Sequence, residues 1–221
     1  MPRPFWRSLI RSLIPHQYVM SVYDLDLHDL RARGVRGLIL DLDNTLAAWR
    51  FGQPEPRLAE WVEGAKARGF SLYIVSNDLG PRVDLFSRFL GIPGVARAGK
   101  PRRRAFRRAI RALGLEPGEV AVVGDQVFTD ILGARPLGCH TVLVVPVSRR
   151  EFVGTRLVRR LEGLLLRHLA ARGLLDGPVG PASGRGRSDR PSEGLTDGEA
   201  GGRPADSARG GGPPDGGDFS C

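Results

Sequence analysis

Lysine is nearly absent from this chain: of 33 basic residues, only Lys66 and Lys100 are not arginine. Surface positive charge is therefore met by Arg as a rule. A Lys set between Gly99 and Pro101, just ahead of Arg102, Arg103 and Arg104, needs its own explanation. A lysine ammonium is a compact point charge on a flexible stem, whereas a guanidinium is a broad planar fork. Cysteine is also scarce. Cys139 and Cys221 cannot build a disulfide framework, so the composition points to an intracellular protein with free thiols. Long apolar runs are missing too. No stretch approaches the roughly 20 residues of a membrane span, and the N-terminus lacks the apolar core and small-residue cleavage site of a secretory signal. The expected location is cytoplasmic.

With 221 residues, 41% of them apolar, the chain can bury one good-sized core, and a single domain over residues 1–172 is expected. The formal charge of +9 points to an anionic partner, which could be a phosphate ester, a nucleic acid or an acidic lipid surface. Charge alone does not choose among these. From Gly173 to Cys221 there are 14 Gly and 6 Pro among 49 residues, with few large apolar side chains. Burial cannot offset the ordering entropy of such a segment, so 173–221 reads as a disordered tail.

Between residues 30 and 147 the pattern alternates. Four short apolar runs, Gly37 to Leu40, Phe70 to Val75, Val120 to Val123 and Thr141 to Val145, have the composition of buried parallel strands. Helical patterns at Arg57 to Arg68, Pro81 to Leu90 and Pro101 to Leu113 lie between them, each opening near a proline and closing near a glycine. Alternation of this kind predicts an α/β fold, a doubly wound, Rossmann-type parallel sheet with helices on both faces. Ligands gather at the carboxyl ends of such strands. The residues there are Asp41 and Asp43 with Asn44 and Thr45, then Ser76 and Asn77, then Lys100, then Asp125 and Asp130.

Four acids, a hydroxyl and a lysine would therefore meet at one edge, with the Asn44-Thr45 turn bringing Asp43 back toward Asp41. Crowded carboxylates repel unless they share a cation, and a hard divalent ion with oxygen ligands suits them, Mg²⁺ best. An aspartate can attack phosphorus to form an aspartyl-phosphate, and a second can protonate the leaving oxygen and then deprotonate water. A metal ion and a lysine would neutralise the phosphoryl group in transit. Lys100 would have to reach both a carboxylate and a phosphate, which a flexible point charge does better than a fork.

The ordered set Asp41-x-Asp43-x-Thr45, Ser76, Lys100 and Gly124-Asp125-x4-Asp130 resembles the four signature motifs of the haloacid dehalogenase (HAD) superfamily of phosphotransferases. The wording around it is similar to the YqeG-type phosphatases of HAD subfamily IIIA, over roughly residues 10 to 170: Pro15 to Val19, Leu42 to Leu46, Val75 to Asn77, Leu90 to Pro93, Lys100-Pro101 and Gly124 to Asp130. The resemblance implies Asp41 as nucleophile and Asp43 as acid/base. It implies Ser76, Asn77 and Lys100 around the phosphate. For Mg²⁺ it implies Asp41, the Asp43 backbone carbonyl and Asp125, with Asp130 supporting them. Related mitochondrial enzymes act on phosphatidylglycerophosphate, so a lipid phosphomonoester is one implied substrate. A soluble ester or nucleotide is the alternative, and an RNA- or ribosome-associated protein with a vestigial site is a third reading.

The intervals from Asp43 to Ser76 and from Ser76 to Lys100 are too short for a folded lid, so an open, capless site is expected. Such a site suits a macromolecule or a headgroup at a membrane surface. Residues 3–14 place Phe5, Trp6, Leu9, Ile10, Leu13 and Ile14 at helical spacing beside Arg3, Arg7 and Arg11. That pattern fits either packing on the domain or peripheral contact with the inner face of a membrane. After the sheet, an apolar stripe from Phe152 to Leu169, including Leu161 and Leu164, reads as a packing helix. The arginines of 101–113 form a basic face that an acidic lipid or, less favoured, nucleic acid could use.

Overall fold

The structure is a computed structural model that describes residues 10–48, 53–148 and 155–175, all within one compact unit. Residues 1–9, most of the 3–14 segment, therefore lie outside the description, as does the expected tail from 176 onward. Six parallel strands make one sheet: β1 (Gln17–Val19), β2 (Gly37–Leu40), β3 (Ser71–Val75), β4 (Gly94–Val95), β5 (Val120–Gly124) and β6 (His140–Val144). Their spatial order is β1-β6-β5-β2-β3-β4. From β2 the chain winds outward through β3 to β4, then returns to β5 on the other side of β2. The β2/β5 boundary is thus the switch point at which ligands enter such sheets.

Alternation along the strands sorts side chains into two layers. Leu38 and Leu40 of β2 and Leu72 and Ile74 of β3 pack with α2 (after α1, Leu27–Ala32; α2, Pro56–Ala67) and α3 (Pro81–Leu90), where Leu58, Val62, Val83 and Phe86 are buried. Ile39, Tyr73, Val75 and Val122 face the other way, onto Phe106, Ala109 and Ile110 of α4 (Arg104–Leu113). Both faces are covered, and for this reason β2 is a continuous apolar run with no polar alternation. Phe86 and Phe106 are fully buried anchors, each stabilising by about 1.5–3 kcal/mol on transfer grounds.

The four expected central strands are present. β1 and β4 escape sequence reading because an edge strand of three residues and one of two carry no usable period. α4 starts at Arg104 where a start at Pro101 was expected. Residues 100–103 instead form a turn in which the Arg102 N–H donates to the Gly99 carbonyl at 3.0 Å. Among the described residues neither interval between the motifs carries a folded insert, only α2 and α3.

α5 (Thr155–Ala171) packs Leu165 and Leu166 on Val127, Ile131 and Leu143, and buries Leu169. Leu161 and Leu164, expected in its packing stripe, are exposed, because the covered face follows Glu162, Leu165, Leu166 and Leu169 at spacings of three and four and leaves these two leucines off it. Residues 10–13 are helical, and Leu13 packs on the same cluster. Leu175, expected in the tail, is buried.

Candidate active site

Asp41 directly follows β2, and its N–H still donates to the Val123 carbonyl at 2.9 Å, so the sheet itself aims this residue. The chain then turns sharply. Asn44 takes a left-handed conformation with φ 59°, which Asn tolerates better than most residues. The Asn44 N–H donates to the Ala47 carbonyl at 2.8 Å. Through this turn Thr45 Oγ1 comes back to donate to Asp41 Oδ2 at 3.1 Å. Lys100 Nζ donates to Asp41 Oδ1 and to Asp130 Oδ1 at 2.7 Å. One ammonium is therefore shared by two buried carboxylates from different loops.

Asp130 reaches this position through a π turn over Val127–Ile131, the wider helical turn often found at functional sites. Its other oxygen, Oδ2, accepts from Thr129 Oγ1 at 3.1 Å and from the Gln126 N–H at 3.3 Å. Its side chain lies against Gly124, where an added Cβ would sit 2.2 Å from Asp130 Cγ. The glycine of the Gly124-Asp125 pair is thus required by the acid six residues later. Glu162 of α5, which is buried, accepts the Phe128 N–H at 3.0 Å and ties the π turn to the last helix.

One carboxylate oxygen each from Asp41, Asp125 and Asp130 lie within 4.8 Å of one another, all three residues being buried. Three acids buried this close together repel one another, and a cation shared among them would relieve that repulsion. The donor set, all carboxylate oxygen, fits a hard divalent ion. Burial pushes Asp41 up to about 7; Lys100 pulls it back and Asp130 pushes it further. For Lys100, burial opposes the charge, but Asp130 and Asp41 outweigh it and raise the ammonium above the ordinary lysine range.

Asp43 takes a different neighbourhood. Its carboxylate accepts from Ser76 Oγ at 3.3 Å and from Arg82 Nη1, so its side chain stands outside the acid triad. Any Asp43 contribution to a metal would come through its backbone carbonyl, as the resemblance implied. Burial raises its pKa, Arg82 lowers it and Asp78 raises it again. Ser76 is buried and accepts the Asp78 N–H at 3.0 Å. Asn77 braces the lysine loop: Lys100 N–H donates to Asn77 Oδ1 at 2.8 Å, and Asn77 Nδ2 donates to the Lys100 carbonyl at 3.3 Å.

Arg82 was not anticipated. It also donates from Nη2 to the Ala48 carbonyl at 3.2 Å and pairs with Asp78 at 3.5 Å. One arginine among thirty-one draws no attention, yet Asp78 and Arg82 are four apart, across the start of a helix that opens on Pro81, and that spacing was available as a signal. Cys139, expected to pack, is buried with its thiol pushed up to about 12 by burial. The neighbouring His140 stacks on His16 at 4.4 Å between ring centroids.

The sheet carries Asp41, Lys100, Asp125 and Asp130 on loops at its carboxyl edge, and a family model of haloacid dehalogenase-like hydrolases matches residues 16–138. The chain belongs to that family, and within it to the phosphatases of the YqeG type. It is 41% identical over 165 residues to the probable phosphatase YqeG of Bacillus subtilis, covering 75% of this chain and 96% of that one. It is 31% identical to the chloroplastic/mitochondrial phosphatidylglycerophosphate phosphatase 1 of Arabidopsis thaliana, covering 73% of this chain and 49% of the plant protein. Among solved structures, the cobalt-bound deoxy-D-mannose-octulosonate 8-phosphate phosphatase of Haemophilus influenzae is similar at TM-score 0.44 and 15% identity, over 65% of this chain and 94% of that one.

Proposed function

We propose that this chain is a Mg²⁺-dependent phosphomonoester phosphatase that works through an aspartyl-phosphate on Asp41, with a lipid phosphomonoester such as phosphatidylglycerophosphate as substrate. The observation that carries this reading is the single Lys100 ammonium shared by Asp41 and Asp130, with Asp125 beside them. The name of the plant relative supports the lipid substrate.

Asp41 attacks phosphorus while the bond from phosphorus to the leaving oxygen breaks. Asp43 gives its proton to that oxygen, and the burial that raises its proton affinity suits the role. Water then attacks the aspartyl-phosphate, Asp43 takes the water proton, and inorganic phosphate leaves with the Asp41 carboxylate restored. Lys100 and Ser76 neutralise and orient the phosphoryl oxygens. Arg82 keeps Asp43 beside Ser76 and out of the acid triad, so nucleophile and acid/base do not share one proton. Mg²⁺ held by Asp41, Asp125 and Asp130 would supply positive charge against the phosphoryl group.

The test is turnover by purified protein, with Mg²⁺ or with EDTA, of phosphatidylglycerophosphate in mixed micelles and of a panel of soluble esters. Release of phosphate from the lipid at a kcat/KM at least 10-fold above every soluble ester is expected, together with acid-stable label on the parent protein but not on Asp41→Asn. Equal or better turnover of a soluble ester would reassign the substrate. Turnover in EDTA undiminished by the chelator would remove the metal.

A further inference from the structure

All six strands are parallel, so the loops leaving their carboxyl ends share one edge of the sheet, the edge that holds the site. Three of these loops each expose a large apolar side chain. Met20 follows β1 and is 55% exposed, Val147 follows β6 at 56%, and Leu79 follows β3 at 72%. They are tied to the site by backbone bonds. The Val147 N–H donates to the carbonyl of Asn44, in the turn after the nucleophile, at 2.9 Å, and the Val145 N–H donates to Val19, next to Met20, at 3.1 Å. On the other flank Arg97 donates from Nε to the Leu79 carbonyl at 3.1 Å and from its N–H to Asp78 at 2.9 Å. Exposed apolar groups thus stand on both sides of the opening.

Arginines border the same edge. Arg97 is exposed, and so are Arg102 and Arg103 in the turn directly after Lys100. Scattered apolar side chains on a surface need no explanation. Apolar groups on two flanks of the candidate site, with arginines beside them, have the composition of an interfacial lipid-binding surface, in which apolar groups enter the headgroup layer and cations meet lipid phosphates. No helix among the described residues is long and apolar enough to cross a membrane, so contact through these elements is peripheral.

We propose that the carboxyl edge of the sheet is a docking face for an anionic lipid bilayer, with Leu79, Val147 and Met20 entering the headgroup layer and Arg97, Arg102 and Arg103 on lipid phosphates. This deepens the phosphatase reading and rests on it for the substrate. With the edge face-down, a phosphomonoester headgroup meets Asp41 and Lys100 without leaving its bilayer. The open site then becomes an advantage, because the membrane closes it.

The experiment is co-sedimentation of the full chain with vesicles of phosphatidylcholine alone or mixed equally with phosphatidylglycerol, alongside turnover of p-nitrophenyl phosphate in solution. The expected result is binding to the anionic vesicles that weakens with salt. Leu79→Glu and Val147→Glu should each weaken it at least 5-fold, with turnover of the soluble ester within 2-fold of the parent. Leu79→Ser gives a milder second variant, and soluble turnover reports that each variant is folded. Parent-like vesicle binding in the glutamate variants would overturn the proposal. So would binding lost in Trp6→Glu but kept in Leu79→Glu, or binding to RNA with none to vesicles. Vesicle binding that needs Leu79 and Val147 supports the docking face even if no ester is turned over, so the two readings fail separately.

Discussion

Lys100 and Arg82 are both cations held between two carboxylates, one on each side of the turn that carries Asp41 and Asp43. Lys100 lies deepest, its side chain 3% exposed, between Asp41 and Asp130. Arg82 is shallower at 16%, between Asp43 and Asp78, with a backbone carbonyl as a further partner. Residue type follows the task. Joining two carboxylates and a phosphoryl oxygen in a tight buried space favours a point charge, while bracing one carboxylate against a loop favours a fork with several donors. Under the proposed mechanism the lysine serves the transferred group and the arginine braces the acid/base.

Substitutions should separate the two regions by magnitude. Asp41→Asn removes the proposed nucleophile and should lower kcat on the order of 10⁶-fold. Lys100→Arg keeps the charge but cannot fit its fork, and kcat should fall by roughly 10²–10³-fold, the scale seen for loss of one fixed donor at a developing charge. Arginine at 100 with near-parent kcat would break the comparison at its stronger end. Gly124→Ala attacks the same region indirectly, since the new Cβ would displace Asp130 from Lys100. It should cost about 1–3 kcal/mol of stability in thermal or urea unfolding, and kcat should fall with it.

On the other side, Arg82→Met should lower kcat by roughly 10- to 100-fold, no more than the lower bound of what a correctly placed general acid contributes, because Asp43 itself remains. Arg82→Lys should recover part of that loss, because a lysine can pair with Asp43 but not also hold Ala48. A readout of kcat against KM decides between roles: an acid/base brace moves kcat, whereas a pure binding cation would move KM alone. Equal losses at Arg82 and Lys100 would erase the proposed division of labour.

The two regions were unequally legible in the sequence. Asp41, Asp43, Ser76, Asp125 and Asp130 could be read because strands of clear apolar character place them at one edge, whereas Lys100 was read from its place ahead of a helix and from the order of the whole set. Lys100 stood out because arginine is the rule. Arg82 disappears into that same rule, although its position four residues after Asp78 is informative once the helix start is known. Glu162 was hidden by distance along the chain. The one sign of it was an acid alone in a helix whose other charged residues are basic. Gly124 read as a strand-end glycine, and its need for emptiness becomes evident only when the π turn returns Asp130 over it. Leu79, Val147 and Met20 could not be read as a set, because the sheet order that brings their loops to one edge depends on the two shortest strands as well as the four legible ones.

The smallest expected effect tests the crowding of acids on the Lys100 side. Burial raises Asp41 from an ordinary carboxylate value to about 7 in the folded protein. The native state then holds a proton that the unfolded state has already lost, and stability conferred by that proton falls as pH rises from about 4 through 7. In EDTA the melting temperature of the parent should decline over this window. Asp41→Asn, which has no proton to lose, should decline less, so its advantage over the parent should widen by several degrees between pH 5 and pH 8. Excess Mg²⁺ should act in the opposite direction, because an ion bound by ionised carboxylates stabilises most where protons compete least. The parent would then gain stability with pH while Asp41→Asn, short of one ligand, gains less. Identical pH profiles for the two proteins in EDTA would mean that Lys100 alone balances Asp41, and the need for a further cation in the acid triad would disappear.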